Sequence, residues 1–240
     1  MARVAIVTGG TRGIGEAISV ALRDAGCTVA ANYAGNDERA RDFESRTGIR
    51  AFRWDVADFD ATQAGCAAVA DALGPVDVVV NNAGITRDGT LLKMSAKAWA
   101  EVIATNLGGC FNMAKATFPG MIERGWGRIV NIGSVNGQAG QYGQVNYAAA
   151  KSGIHGFTKA LAQEGAKRGV TVNAIAPGYI DTDMVAAVPQ DVLAKIVARV
   201  PVGRLGQADE IARGVAFLVS EEAGFVTGST LSINGGQHMY

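Results

Sequence analysis

The chain has 240 residues, of which 48% are hydrophobic, with 22 basic and 22 acidic side chains. This composition is typical of a globular protein long enough for one large domain. A formal net charge of zero, with no cluster of either sign, argues against nucleic acid or an anionic membrane as the main partner.

The sequence contains no pattern that predicts a signal peptide, a membrane span, a disulfide framework or a metal site. The apolar run near the start is too short for a signal peptide, and no stretch approaches the ~18 apolar residues of a membrane span. The three cysteines, Cys27, Cys66 and Cys110, are odd in number and widely spaced, which predicts neither a disulfide framework nor a metal site. Two histidines, His155 and His238, leave little material for a zinc site or a Ser-His-Asp triad. We expect a cytoplasmic protein without a metal.

Short apolar runs alternate with helical segments along the whole chain. The predicted strands are Arg3–Thr8, Thr28–Asn32, Ala51–Trp54, Val76–Val80, Arg128–Ile132, Thr171–Ile175 and Ser229–Ile233. The predicted helices are Glu16–Ala25, Glu38–Arg46, Ala61–Leu73, Ala96–Glu123, Tyr147–Arg168, Asp191–Arg199 and Ala208–Val219. This alternation, without a linker or repeat, predicts one α/β domain: a Rossmann-type, doubly wound parallel sheet of about seven strands with helices on both faces. In such sheets ligands bind at the carboxyl ends of the strands.

A glycine-rich turn follows the first predicted strand. Gly9, Gly13 and Gly15 have the spacing G-x-x-x-G-x-G, and Ile18 stands where the strict G-x-G-x-x-G string would place its third glycine. Between a strand and a helix, this turn lets a pyrophosphate approach the N–H groups at the helix N-terminus. We therefore predict a dinucleotide site; the alternative is a tight turn with a purely structural role.

The end of the second strand indicates which dinucleotide is bound. An NAD site places an acidic residue there for the ribose 2′-hydroxyl, whereas a basic neighbour suits a 2′-phosphate. The segment Ala30–Gly35 contains no carboxylate, and Arg12 lies inside the glycine turn. This combination predicts NADPH; the alternative is that Arg12 is only a solvated loop residue.

Three polar features follow later strands. Asp55 could accept from the adenine amino group or cap the next helix, and the sequence does not separate these alternatives. Asn81–Gly84 follow a buried strand and would let the backbone approach the ribose. Asn106 is a poor helix former in the middle of a predicted helix, which indicates a side chain used inward, to hold a water or a kink.

The segment from Ser134 to Lys151 contains the residues best suited to catalysis. Tyr147 and Lys151 are four residues apart on a predicted helix, so they share one face. A neighbouring ammonium favours the phenolate and lowers the pKa of the phenol, towards the range in which general acids work best. Ser134 would add a hydroxyl for a substrate oxygen. The alternative is a surface lysine lying over a half-buried tyrosine.

Taken together, these motifs resemble the short-chain dehydrogenase/reductase family from Val4 to Gly236. The residues that carry the resemblance are TGxxxGxG at Thr8–Gly15, Asp55-Val56, NNAG at 81–84, Asn106, Ser134, Tyr147-x-x-x-Lys151 and Pro177-Gly178. The resemblance implies one domain over residues 1–240, with residues 1–130 mainly binding the cofactor and residues 131–240 mainly catalysing the reaction and binding substrate.

The resemblance also implies a role for each member of a catalytic set. Tyr147 would be the general acid/base, and Lys151 would bind the nicotinamide ribose while lowering the pKa of the phenol. Ser134 would orient the substrate carbonyl, and Asn106 would hold the water of a proton relay. The implied cofactor-binding residues are Gly9, Arg12, Gly13, Ile14, Gly15, Asn32, Asp55, Val56, Asn82, Ala83, Gly84, Tyr147, Lys151, Pro177, Gly178, Ile180 and Thr182.

A narrower resemblance is to acetoacetyl-CoA reductases of polyhydroxyalkanoate synthesis. It rests on residues 81–88, 125–131, 136–138, 140–144, 155–158 and 238–239. It implies an acyl-CoA substrate, an acyl pocket lined by Gln141, Tyr142, Gln144 and Tyr179, Asp88 near the substrate, and a homotetramer. One departure from the group is glycine at position 133, where serine usually precedes the catalytic serine.

Two alternative functions remain open. The first is a 3-oxoacyl-[acyl-carrier-protein] reductase, because Arg128 and Arg168 match basic positions that can meet an acidic carrier protein in that group. The alternative for both arginines is a structural or solvated position. The second is a non-enzymatic NADPH-binding sensor, for which we would expect part of the catalytic set to be lost. Asn106, Ser134, Tyr147 and Lys151 are all present.

Overall fold

The computed structural model describes residues 2–182 and 190–239, and they contain one parallel sheet of seven strands in the order β3-β2-β1-β4-β5-β6-β7. The strands are β1 (Val4–Val7), β2 (Thr28–Tyr33), β3 (Arg50–Arg53), β4 (Val76–Asn81), β5 (Gly127–Ile132), β6 (Val170–Pro177) and β7 (Thr230–Ile233). The predicted doubly wound parallel sheet is confirmed.

The helices of the described residues are α1 (Gly13–Asp24), α2 (Asp37–Thr47), α3 (Phe59–Leu73), α4 (Ala96–Ile103), α5 (Gly109–Arg124), α6 (Val135–Ala139), α7 (Val145–Gly165), α8 (Gln190–Val197) and α9 (Ala208–Val219). Within this part of the chain, no helix has the length and apolar character needed to cross a membrane. Two short 3-10 segments, Leu91–Lys93 and Ala166–Arg168, also lie within the described residues.

Two hydrophobic layers cover the sheet. Alternate residues of a strand point to opposite faces, so Ala5 and Val7 of β1 pack on one side while Val4 and Ile6 pack on the other. The first layer is completed by α1, α2 and α9, and the second by α3, α5 and α7. Burial on both faces explains why the strands are nearly continuous apolar runs in the sequence.

The predicted long helix over Ala96–Glu123 is interrupted. The structure has α4 and α5 joined by one π-helical segment, Ala104–Gly108. A π segment widens one turn of a helix and is frequent at functional sites. Here it carries Asn106 into the interior, which is the irregularity that the sequence indicated at this position.

The strand order reverses beside β1. The chain goes from β1 outward to β2 and β3, then returns to the other side of β1 for β4 and the remaining strands. The loops after β1 and β4 therefore diverge at this point, which leaves a crevice at the carboxyl ends of the strands. This crevice places the glycine turn beside the segments that follow β4, β5 and β6.

Candidate active site

A cleft of about 380 Å³ lies at this edge of the sheet. Its size is within the range of small-molecule sites. The predicted residues that line it are Gly9, Arg12, Gly13, Ile14, Gly15, Asn82, Ala83, Gly84, Asp88, Ser134, Gln144, Tyr147, Lys151, Pro177, Gly178, Tyr179, Ile180 and Thr182. The tertiary structure thus brings together residues from six separate loops and helices.

The glycine turn forms a cradle that fits a pyrophosphate. Gly9 and Gly13 have φ values of +61° and +52°, which are left-handed conformations that favour glycine. A Cβ on Gly15 would overlap the carbonyl oxygen of Gly9 and lie 2.6 Å from Nδ2 of Asn82. The N-cap residue of α1, Arg12, makes no side-chain cap hydrogen bond. The first N–H groups of α1 therefore face the cleft without a side-chain acceptor, which suits an anionic group.

Thr8 joins the glycine turn to the segment after β4. Its Oγ1 accepts hydrogen bonds from the backbone N–H groups of Asn82, at 2.9 Å, and Ala83, at 3.0 Å. Asn82 returns a hydrogen bond from Nδ2 to the carbonyl oxygen of Thr8, at 2.9 Å. This role of Thr8 was not predicted; the available signal in the sequence was a hydroxyl that ends an apolar strand at the switch point.

Asn32 lies beneath the glycine turn instead of in the cleft. Its side chain is 2% exposed; Oδ1 accepts from the N–H of Gly9 at 3.4 Å, and Nδ2 donates to the carbonyl oxygen of Trp54 at 3.0 Å. The position where an NAD site would carry a carboxylate is therefore occupied by an amide that supports the turn.

Asp55 and Val56 also lie outside the cleft lining. Asp55 is exposed, and its Oδ1 accepts from the N–H of Ala57 at 2.9 Å. The cap of α3 is Asp58, which accepts from the N–H of Ala61, so the alternative that Asp55 caps this helix is wrong. Val56 is buried.

Helix α7 presents the predicted catalytic pair to the end of β5. The phenol of Tyr147 lies close enough to Ser134 for that side chain to act on its pKa. The ammonium of Lys151 donates from Nζ to the carbonyl oxygen of Ile132 at 2.7 Å, and Nζ lies 5.6 Å from the centroid of the Tyr147 ring. The side chains of Ser134, Tyr147 and Lys151 therefore share one corner of the cleft.

The electrostatics of this corner differ from the sequence expectation. Burial raises the pKa of Tyr147 above its ordinary value, an effect larger than the lowering by the hydrogen bond with Ser134, and the negative charge of Asp88 raises it further. Burial also lowers the pKa of Lys151 to about 8. The net pKa of the phenol is therefore above its ordinary value, opposite to the net direction expected from the sequence, because burial outweighs the lowering contribution.

Asn106 is used inward, as the sequence indicated. It is 1% exposed; its Oδ1 accepts from the N–H of Ile85 at 2.8 Å, and its Nδ2 donates to the carbonyl oxygen of Ile85 at 3.0 Å. The amide thus fixes the backbone of a cleft-lining residue. The carbonyl oxygen of Asn106 accepts a hydrogen bond from the thiol of Cys110 at 3.3 Å.

Two loops meet on the predicted substrate side of the cleft. Gln144 donates from Nε2 to Oδ2 of Asp88 at 2.9 Å, and Asn136 donates from Nδ2 to Oε1 of Gln144 at 2.9 Å. Asn136 lines the cleft and was missed as a site residue, although it lies in a segment that carries the narrower resemblance. Gln141 is exposed and Tyr142 is 87% exposed; neither lines the cleft, so their role in an acyl pocket stays a prediction.

The segment after β6 forms the wall opposite the glycine turn. Two backbone hydrogen bonds with Gly206 hold this segment. The N–H of Asp181 donates to the carbonyl oxygen of Gly206 at 2.8 Å, and the N–H of Gly206 donates to the carbonyl oxygen of Tyr179 at 2.9 Å. A Cβ on Gly13 would lie 3.7 Å from Cγ2 of Thr182. The wall and the cradle therefore enclose one continuous site.

Comparison with known proteins gives consistent results over the full chain. A family model described as enoyl-(acyl carrier protein) reductase matches residues 9–238. The acetoacetyl-CoA reductase of Rhizobium meliloti (strain 1021) is 62% identical over 239 residues, covering 99% of both chains. That of Shinella zoogloeoides is 60% identical over 238 residues, also covering 99% of both. The 3-oxoacyl-[acyl-carrier-protein] reductase of Vibrio cholerae is 45% identical over 239 residues, covering 99% of this chain and 98% of its own.

Proposed function

Because the chain belongs to the short-chain dehydrogenase/reductase family, we propose that it reduces acetoacetyl-CoA to (R)-3-hydroxybutanoyl-CoA with NADPH. The observation that carries the proposal is the meeting of Ser134, Tyr147 and Lys151 in a cleft that also contains an uncapped helix N-terminus. The names of the relatives that are 60% identical or more support the substrate.

The described side chains suit proton transfer to a ketone oxygen. NADPH, when bound, supplies the hydride. The hydroxyl of Ser134 and the phenol of Tyr147 orient the 3-oxo oxygen by hydrogen bonds, and Tyr147 gives its proton to the alkoxide that develops there. A raised pKa keeps this phenol protonated at neutral pH, as a proton donor must be. Lys151, tethered to the end of β5, binds the nicotinamide ribose.

The choice of NADPH over NADH is argued from two residues. Arg12 is an exposed residue at the cleft, and its guanidinium suits a phosphate. Asn32, near the end of β2, is uncharged. Its side chain is buried and hydrogen-bonded to the backbone. A 2′-phosphate is therefore met by a cation and opposed by no carboxylate at this position.

A coenzyme A thioester is favoured over an acyl-carrier protein. Arg128, one of the two arginines that could meet a carrier protein, is 3% exposed. It donates from Nη1 to the carbonyl oxygens of Gly127, at 2.9 Å, and Gly169, at 3.2 Å. A guanidinium held in this way is unable to reach a partner surface, so only Arg168 remains available for such a contact.

We further propose a cytoplasmic homotetramer that supplies polyhydroxybutyrate synthesis. Two sets of exposed apolar side chains support the assembly: Phe59 of α3 and Phe111 of α5, whose rings stack, and Phe217 of α9 and Leu231 of β7. Two different self-complementary faces generate a tetramer with three two-fold axes. Cysteines 27, 66 and 110 are all free thiols, which suits a reducing compartment. Residues 1–130 would mainly hold the cofactor and residues 131–240 the substrate.

The test is an assay of NADPH oxidation with acetoacetyl-CoA as substrate, in which the decrease in NADPH absorbance is measured. Parallel assays replace NADPH by NADH and the CoA ester by acetoacetyl-carrier protein. We expect the highest kcat/KM with NADPH and the CoA ester. A large preference for the carrier-protein ester would favour the alternative reductase of fatty acid synthesis, and a preference for NADH would contradict the cofactor assignment.

A further inference from the structure

One stripe of helix α7 contacts three consecutive residues at the end of β5. Tyr147, Lys151 and His155 follow one another at intervals of four, so they lie along one face of the helix. Tyr147 lies beside Ser134, and Lys151 donates a hydrogen bond to the carbonyl oxygen of Ile132. The remaining residue of the strand end, position 133, faces His155. The first two members of the stripe belong to the proposed catalytic set, and the third has no assigned role.

The ring of His155 packs closely against Gly133 and leaves little room for a side chain at this position. A Cβ on Gly133 would lie 3.2 Å from Cε1 and 3.7 Å from Nε2 of His155, and 3.1 Å from the carbonyl oxygen of Ile175. Gly133 is anchored by its own N–H, which donates to that same carbonyl oxygen at 2.7 Å. The backbone immediately before Ser134 is therefore packed between β6 and the imidazole.

His155 is itself held from the other side by β7. Its Nδ1 lies 3.1 Å from Oγ1 of Thr230, within hydrogen-bond distance. Its Nε2 is buried and has no hydrogen-bond partner among the described residues. A buried polar atom without a partner is uncommon and destabilising. The ring thus links the edge strand to Gly133 and leaves one nitrogen unused beside that glycine.

We propose that His155 is a positioning residue for Ser134, acting through the backbone of Gly133. This inference rests on the proposed function, in which Ser134 orients the ketone oxygen. The imidazole keeps the strand end pressed against β6, and so keeps the hydroxyl of Ser134 beside the phenol of Tyr147. His155 does not line the cleft and touches no reacting atom.

The unused Nε2 provides a matched pair of variants. In Gly133→Ser the new hydroxyl can rotate towards Nε2, because the Cβ would be 3.7 Å from that atom. In Gly133→Ala the same Cβ crowds Cε1 and the carbonyl oxygen of Ile175 and gains no hydrogen bond. The two variants differ by one oxygen atom. The proposal requires that the serine variant retains more activity than the alanine variant, and only while His155 is present.

The experiment measures kcat and KM of the full-length enzyme for His155→Leu, Gly133→Ser, Gly133→Ala and the double variant Gly133→Ser/His155→Leu. The control is Lys159→Leu, an exposed residue one turn further along α7. We expect His155→Leu to lower kcat roughly tenfold, since small displacements of orienting groups have effects of this order. KM for NADPH should change less than about twofold, because no cofactor contact is removed.

A second readout needs no substrate. The chain has two histidines, so His155→Leu assigns the ring nitrogen signals in ¹⁵N NMR spectra. We expect Gly133→Ser, but not Gly133→Ala, to shift the Nε2 signal of His155. The inference is overturned if His155→Leu has the kcat of Lys159→Leu, or if the two substitutions at position 133 give the same nitrogen spectrum. Absence of activity in the unsubstituted protein would refute the proposed function, and the nitrogen spectra would still decide the contact.

Discussion

Lys151 donates a hydrogen bond from Nζ to the carbonyl oxygen of Ile132 across 2.7 Å. This contact anchors a buried amine at the end of β5, below the Tyr147 ring. Burial removes both groups from water, and this desolvation lowers the pKa of Lys151 to about 8 and raises the pKa of Tyr147. Lys151 therefore loses its proton at a lower pH than Tyr147 does.

This difference predicts opposite pH dependences for the two directions of the reaction. Reduction requires protonated Tyr147, whose raised pKa keeps it protonated near pH 8. Lys151 is then the group that titrates first, at about pH 8. Because its ammonium group binds the nicotinamide ribose, the reduction rate should decline as this charge is lost. Oxidation of the hydroxy thioester requires the phenolate, so its rate should gain from each increase in the deprotonated fraction of Tyr147. Initial rates in both directions between about pH 6 and pH 10 test this; a reduction rate that is constant through pH 8 would contradict it.

Tyr147→Phe should remove the proton donor and leave the fold intact. General acid catalysis contributes roughly 10²–10⁴-fold, so we expect kcat to decrease by about this factor. Cofactor affinity, measured by fluorescence titration with NADPH, should change little. The matched control is Tyr33→Phe, which removes a phenol bonded to Asp37 outside the cleft. Near-normal kcat in the Tyr147 variant would refute the proposed mechanism.

Arg12→Ala should weaken NADPH binding selectively. A charge-assisted hydrogen bond contributes about 1.5–3 kcal/mol, so KM for NADPH should increase roughly tenfold to hundredfold. KM for NADH should change little, because NADH has no 2′-phosphate. Arg41→Ala, which removes an exposed arginine from α2, controls for the loss of charge. Equal effects on both cofactors would mean that Arg12 supports the turn without contacting the phosphate.

Asn106→Asp should destabilise the protein. The carboxylate keeps the acceptor for the N–H of Ile85 but loses the donor to its carbonyl oxygen. A buried acceptor without its partner costs about 1–3 kcal/mol, measured as a decrease in the free energy of unfolding by urea. Asn36→Asp is the control: it makes the same chemical change at an exposed helix cap, where an acidic residue still caps α2, and the expected effect is within about 0.5 kcal/mol. Equal stabilities of the two variants would contradict the assigned contact.

Charges on the two apolar faces should convert the proposed tetramer into dimers. Phe111→Asp removes one of the two stacked rings on α3 and α5, and Leu231→Asp changes the exposed apolar set on α9 and β7. Each variant retains the other two-fold interface, so light scattering after gel filtration should give the mass of a dimer for both. The double variant should be a monomer. A tetrameric mass for both single variants would show that these faces do not form the assembly.

The main parts of the site could be predicted from the sequence, but the contacts that support them could not. The predicted residue Asn32 supports the glycine turn from below. Helix α3 is capped by Asp58 and not by the predicted candidate Asp55. Thr8 and His155 were not assigned a role. Each of these outcomes depends on a hydrogen bond or a packing contact with another segment, and such a contact leaves no periodic signal along the chain.

The sequence by itself determined the order of strands and helices, the parallel sheet and the shared face of Tyr147 and Lys151. These properties follow from apolar periodicity and from spacing along a single element, so a linear reading is sufficient. Only the tertiary structure decided which polar groups face the cleft, in which direction the pKa of Tyr147 moves, and that His155 packs against Gly133. The physical reason is that burial and desolvation are set by segments distant in sequence, which meet only where the strands of the sheet end.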